Sequence, residues 1–238
     1  MRPTIAFSIA LLAALAGTAQ AAVTVPTARP AATAVEAKRS AASVPARGGS
    51  CFAQLSRITD ARRTRSPKAR LRVCRIKQPV RLSSIETAEG PVSLTGEPVV
   101  ACELALSLAH WTRDVAAPAA KRHVRRRLTS LRTGPGFQCR RRNRRKGGKL
   151  SEHGLGNAID IMGFRFDATG KRQGFEVRGR LPRRFKKFQR AVREAACGPF
   201  TTTLGPGSDR FHSDHLHFDH GRMYRNGKRR AKPPLVCR

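Results

Sequence analysis

The stretch SEHGLGNAID, Ser151 to Asp160, puts an imidazole and a carboxylate seven residues apart in a chain that has 48 Lys or Arg and only 15 Asp or Glu. Its second half decides the fold. The run Ala158 to Phe164 is short and mostly apolar and follows glycines, which predicts a strand. Gly154, Gly156 and Ala158 permit close backbone approach around His153. A second strand is predicted at His215 to Asp219, inside HSDHLHFDH (212–220), where four of the seven histidines gather. Alternate residues of extended backbone share a face, so His215, His217 and Asp219 point to one side.

Taken alone, the 212–220 stretch reads equally well as an exposed histidine-rich turn. The second pair, His153 and Asp160, shifts the reading toward a metal site. Two imidazoles and one carboxylate leave the fourth position of a tetrahedral Zn²⁺ open, which is the pattern of a catalytic zinc rather than a structural one. Asp160 is then a ligand, which gives an acid a purpose in so basic a chain.

Working outward, Val100, Leu104, Leu108, Trp111 and Val115 recur at helical spacing and predict a helix over 98–114. Phe185, Phe188, Val192 and Ala196 predict another over 183–196, stopped by Gly198-Pro199. Strands and helices do not alternate regularly, so the expected class is α+β, a small antiparallel sheet flanked by helices.

Residues 1–21, MRPTIAFSIALLAALAGTAQA, have a basic Arg2, an apolar stretch from Ile5 to Ala16 and the small-residue pattern Ala19-Gln20-Ala21. They read as a secretory signal peptide, with an uncleaved anchor as the alternative. No later segment is apolar enough to span a membrane. Residues 22–50 are rich in Ala, Pro, Thr and Ser and read as a disordered spacer, leaving 51–238 as one folded domain. Export implies a periplasmic or secreted location. There, six cysteines (Cys51, Cys74, Cys102, Cys139, Cys197 and Cys237) are expected in disulfides whose 15 possible pairings the sequence leaves open. No C-x-x-C zinc pattern occurs, no cysteine has the surroundings of a nucleophile, and no G-x-S-x-G elbow is present.

The formal charge of +33 attracts polyanions, and residues 121–149 concentrate it, with 13 Lys or Arg and no acid. For an exported protein the nearer polyanions are cell-envelope polymers. One Trp and one Tyr provide little for base stacking, and no recognition module is evident, so no specific nucleic-acid partner is expected. A solvated basic surface without a specific partner is an equal reading.

The motif S-x-H-x-x-G-x-A-x-D (Ser151, His153, Gly156, Ala158, Asp160) with a distal H-x-H (His215, His217) resembles the zinc D,D-peptidase and hedgehog-type superfamily. The wider segments FQCR, SEHGLGNAIDIMGF and LGPGSDRFHSDHLHFD resemble more closely the bacterial extensin-like C-terminal domain family, from about Cys51 to Asp219. The resemblance implies a zinc site of His153, Asp160 and His217 and peptidoglycan peptides as substrate. It places a general base at Asp214, where the usual residue is Glu, and sets His215 beside the site to steady an anionic intermediate. It makes Arg140 the candidate oxyanion partner, with Arg141 and Arg142 adjacent. Ser151 is either a substrate contact or a cap before His153. His110 and His123 read as surface or packed histidines. His212 and His220 read as groups that orient a ligand, and Asp219 either does the same or faces solvent. The competing function is a non-catalytic, basic envelope-binding protein with a structural or vestigial zinc site.

Overall fold

The computed structural model describes residues 50–170, 173–221, 224–225 and 228–238. The expected signal peptide, and the expected spacer up to residue 49, lie outside the described residues. The chain is α+β, with a ten-stranded sheet in the order β1 (Thr59–Arg63), β2 (Pro79–Ile85), β3 (Val92–Leu94), β5 (Leu128–Thr133), β6 (Ala158–Phe166), β9 (Leu216–Asp219), β8 (Thr202–Leu204), β12 (Val236–Cys237). β4 (Val99–Ala101) also pairs with β2, and β7 (Gly174–Glu176) with β6. β10 (Tyr224–Arg225) and β11 (Lys228–Arg229) form a separate pair.

The sheet is larger than the small antiparallel one expected, and it is mixed: β3 with β5 and β8 with β12 run parallel. Of the extra strands, β3, β4, β7 and β8 have three residues each, too few to show alternation.

Four α-helices accompany the sheet among the described residues: α1 (Cys51–Leu55), α2 (Cys102–Trp111), α3 (Ala117–Ala119) and α4 (Arg183–Glu194). The helix expected over 98–114 starts later, because Val99–Ala101 pairs with β2 as a strand. It also runs further: π-helical turns at Thr112–Ala116 and Ala120–Val124, with α3 between them, carry it to Val124. α2 is buried nearly all round, as a helix apolar on every face must be.

α4 is amphipathic. Its Phe185, Phe188 and Val192 are buried, and Phe188 meets Phe164, Phe166 and Phe175 edge-on at 4.9, 5.6 and 6.0 Å. The indole N–H of Trp111 donates to the Val192 carbonyl at 3.0 Å, joining α2 to α4 across the core. Disulfides link Cys51 to Cys102, Cys74 to Cys139 and Cys197 to Cys237.

Phe188 has no solvent exposure and is enclosed by other rings, so Phe188→Ala is expected to cost about 3–5 kcal/mol. Denaturant unfolding with the disulfides intact measures this, and a loss under about 1 kcal/mol would mean that α4 is not packed as described.

Candidate metal centre

The β6/β9 ladder sets two of the site residues opposite one another, with Asp160 across from His217 in the antiparallel register. His153 arrives from a 3₁₀ turn, Glu152–Leu155, that ends at Gly156 with φ +68°. A Cβ at Gly156 would lie 2.9 Å from the Ile76 side chain, so the turn closes against the segment leading into β2 only because glycine is there.

The three side chains converge. His153 Nε2 lies 3.3 Å from both Asp160 Oδ1 and His217 Nδ1, and His217 Nδ1 lies 2.9 Å from Asp160 Oδ1. All three are well shielded from solvent and together are able to hold a metal ion. Ligand bonds of about 2.0–2.1 Å in a tetrahedral arrangement put neighbouring donor atoms about 3.3 Å apart, so the donor set and its spacing fit zinc.

The opposite nitrogens are also engaged. His153 Nδ1 donates to the Gly136 carbonyl at 2.7 Å, which leaves Nε2 facing the other donors. Gly136 has φ +76°, and a Cβ there would lie 2.7 Å from the Val99 carbonyl and from Val100 Cγ1. His217 Nε2 donates to Asp219 Oδ2 at 3.0 Å, while Asp219 Oδ1 accepts from the Gly221 N–H at 2.8 Å. Such outer partners fix the ring orientation and raise ligand basicity.

Asp219 therefore has the orienting place and does not face solvent, whereas the role of the Gly136 carbonyl went unread in the sequence. The Gly134-Pro135-Gly136 turn was its only signal.

Protons follow this geometry. Burial alone would lower the pKa of His217, but hydrogen bonds to Asp160 and Asp219 outweigh it and raise the value to about 9. Burial likewise opposes ionisation of Asp160, yet the hydrogen bonds from His153 and His217 hold its pKa well below the usual carboxylate range.

The remaining candidates surround a cavity of about 790 Å³ that also exposes the three donors. Arg140, Ser151, Asp214 and His215 all line it. Arg140 Nε donates to the Gln138 amide at 3.1 Å, and Arg140 pairs with no carboxylate among the described residues. Its neighbours are occupied elsewhere: Arg141 donates to the Gly148 carbonyl, and Arg142 pairs with Glu152 at 3.1 Å. Ser151 is buried at the start of the 3₁₀ turn, but its hydroxyl makes no capping hydrogen bond.

Asp214 accepts from His215 Nδ1 at 2.7 Å, and His215 Nε2 stands 3.6 Å from Asp160 Oδ1. The Asp214 carboxylate thus acts on His215, and it is about half exposed, at 54%. His212 is paired with Asp209 at 2.7 Å, and its ring lies 5.3 Å from that of His217. Of the others, His110 engages Arg113 and Asp114, and His220 engages the Pro199 carbonyl. His110 and His123 are not part of the cluster.

Residues 49–230 match the family described as extensin-like protein C-terminus, and the chain belongs to that family. No curated protein and no solved structure matches it.

Two outcomes follow from the geometry. In the metal-free protein, His217 is charged in the folded state up to about pH 9, against about 6.5 when unfolded. Its contribution is complete below pH 6.5 and is lost as pH rises through 9, a change of about 3 kcal/mol. Denaturant unfolding of chelated protein from pH 6 to 9.5 is expected to show this decline, and a rising stability over that range would contradict it. Asp219→Asn leaves the three donors in place but weakens the orienting bond, so metal affinity should fall about 10–100-fold in competition titrations. Unchanged affinity would remove Asp219 from that role.

Proposed function

We propose that the chain is an exported zinc-dependent hydrolase of the zinc D,D-peptidase and hedgehog-type superfamily, acting on peptide bonds of peptidoglycan as a carboxypeptidase or endopeptidase. The observation that carries this reading is the convergence of His153 Nε2, Asp160 Oδ1 and His217 Nδ1 within 2.9–3.3 Å on a solvent-accessible cavity. Three disulfides fit an oxidising compartment outside the cytoplasm, as does the leader-like stretch at 1–21. Among the described residues, no helix is long and apolar enough to cross a membrane.

His153, Asp160 and His217 would hold the zinc, which would supply Lewis-acid activation of a water molecule. The protein's own groups then divide the work. Asp214 fixes the His215 ring through Nδ1, which turns Nε2 toward the donor cluster. In this proposal His215 Nε2 accepts the proton of the attacking water and Asp214 stabilises the imidazolium formed. That arrangement accommodates Asp where the superfamily usually has Glu. Arg140, free of carboxylates at the cavity wall, faces the developing oxyanion, and the Ser151 hydroxyl contacts substrate.

A second reading, a non-catalytic envelope-binding protein, is favoured by one observation: the half-exposed Asp214 carboxylate is engaged with His215 and not with the three donors. One experiment separates the two. Peptidoglycan is incubated with the protein and with His153→Ala, His217→Ala and Asp214→Asn, products are read by mass spectrometry, and metal content is measured for each. The hydrolase reading expects zinc and cleavage to vanish together in the two ligand variants. It expects Asp214→Asn to keep zinc while losing about 10²–10⁴-fold in rate. Zinc without any cleavage by the unaltered protein would leave the binding reading, and cleavage that survives His153→Ala would overturn the site.

A further inference from the structure

A second concavity, of about 820 Å³, lies on the outer side of α4 and contains no histidine. It is lined by Arg180, Arg183, Lys186, Arg190, Arg193 and Arg238, with Glu194 as the sole acidic side chain. Arg183, Lys186, Arg190 and Arg193 recur at intervals of three and four along α4, which puts them on one stripe. At 1.5 Å rise per residue the stripe is about 15 Å long. Glu194 pairs with Arg190 at 2.7 Å, and Arg193 donates to the Pro206 carbonyl at 2.8 Å. Arg180, Arg183, Lys186 and Arg238 have no carboxylate partner among the described residues.

This concavity is separate from the metal centre. Thr203 and Cys237 line it, whereas Thr202, Leu204 and Val236 line the other cavity. Alternate residues of a strand point to opposite faces, so the β8/β12 edge separates the two.

The distribution of charge selects the occupant. Cations spread along a stripe match a linear polymer with repeated negative charges, since a single small anion would need them to converge on one point. Among the described residues no aromatic side chain lines the concavity, so they give bases nothing to stack on. Gln189 lines it too, and a side-chain amide is both a donor and an acceptor for sugar hydroxyls.

We propose that this groove is a binding site for a linear anionic glycan, held by the Arg183, Lys186 and Arg190 stripe with Arg180 and Arg238. The site does not depend on the hydrolase reading, because none of its residues belongs to the metal centre.

The test is the binding of a fluorescent oligogalacturonate over a range of salt concentrations to three proteins: the full chain, the variant R183Q/K186Q/R190Q, and a control R62Q/R65Q/R70Q. The control removes equal charge from exposed positions far along the sequence. Arg193 is left intact because it holds the Pro206 carbonyl. The groove variant is expected to lose about tenfold or more in affinity with a flatter salt dependence, and the control to change by less than about twofold. Lys186→Gln alone, expected to lose about threefold, serves if the triple variant unfolds. Equal losses in groove and control variants would overturn the site by showing that total charge alone binds. Inorganic polyphosphate or oligo(dT) of equal charge binding as tightly as the glycan would also overturn the assignment.

Discussion

The register between β6 and β9 is the constraint on which the rest depends. Asp160 faces His217 because Ile159 faces Phe218 and Ile161 faces Leu216 in the same ladder, and those four apolar residues are fully buried. A slip of one residue would turn the apolar set of one strand toward the cavity and that strand's polar donor into the core. The hydrophobic pattern thereby fixes the position of two polar groups to within the reach of one ion. His153 is added by a turn that glycine alone permits, and Gly136 and Asp219 hold the two rings.

Four of the 15 acids serve that arrangement. Asp160 and Asp219 both serve His217, Asp214 serves His215, and Asp209 serves His212. Other carboxylates, such as Glu89, Glu176 and Glu194, pair with Lys or Arg, while Arg183 and Lys186 on the outer stripe of α4 have no carboxylate partner among the described residues.

Much of this was legible in the sequence, for identifiable reasons. The strand at Ala158 and the helix at Arg183 announce themselves by period, and the H-x-H, with His215 just before β9 and His217 within it, by alternation. The α+β class and the α4 boundaries to within two residues follow from those signals, whereas alternation left His215, His217 and Asp219 on one face and only the family resemblance singled out His153, Asp160 and His217 as the set that converges. What was not legible depends on long-range pairing. Val99–Ala101 carries apolar residues that suit a helix start as well as a strand, and only its pairing with β2 decides between them. Three-residue strands carry no period. The Gly136 carbonyl has no side-chain signature, and the pairing of Asp214 with His215 depends on how the chain bends just before β9. The three disulfides were expected as a set, but their partners depend on the fold.

The central claim is that three particular side chains hold one zinc ion. X-ray absorption at the zinc edge of the loaded protein tests it most directly. The account predicts a coordination shell of light donors at about 2.0–2.1 Å, with the scattering of two imidazoles and no sulfur. A shell containing sulfur at about 2.3 Å, or one without imidazole scattering, would contradict it.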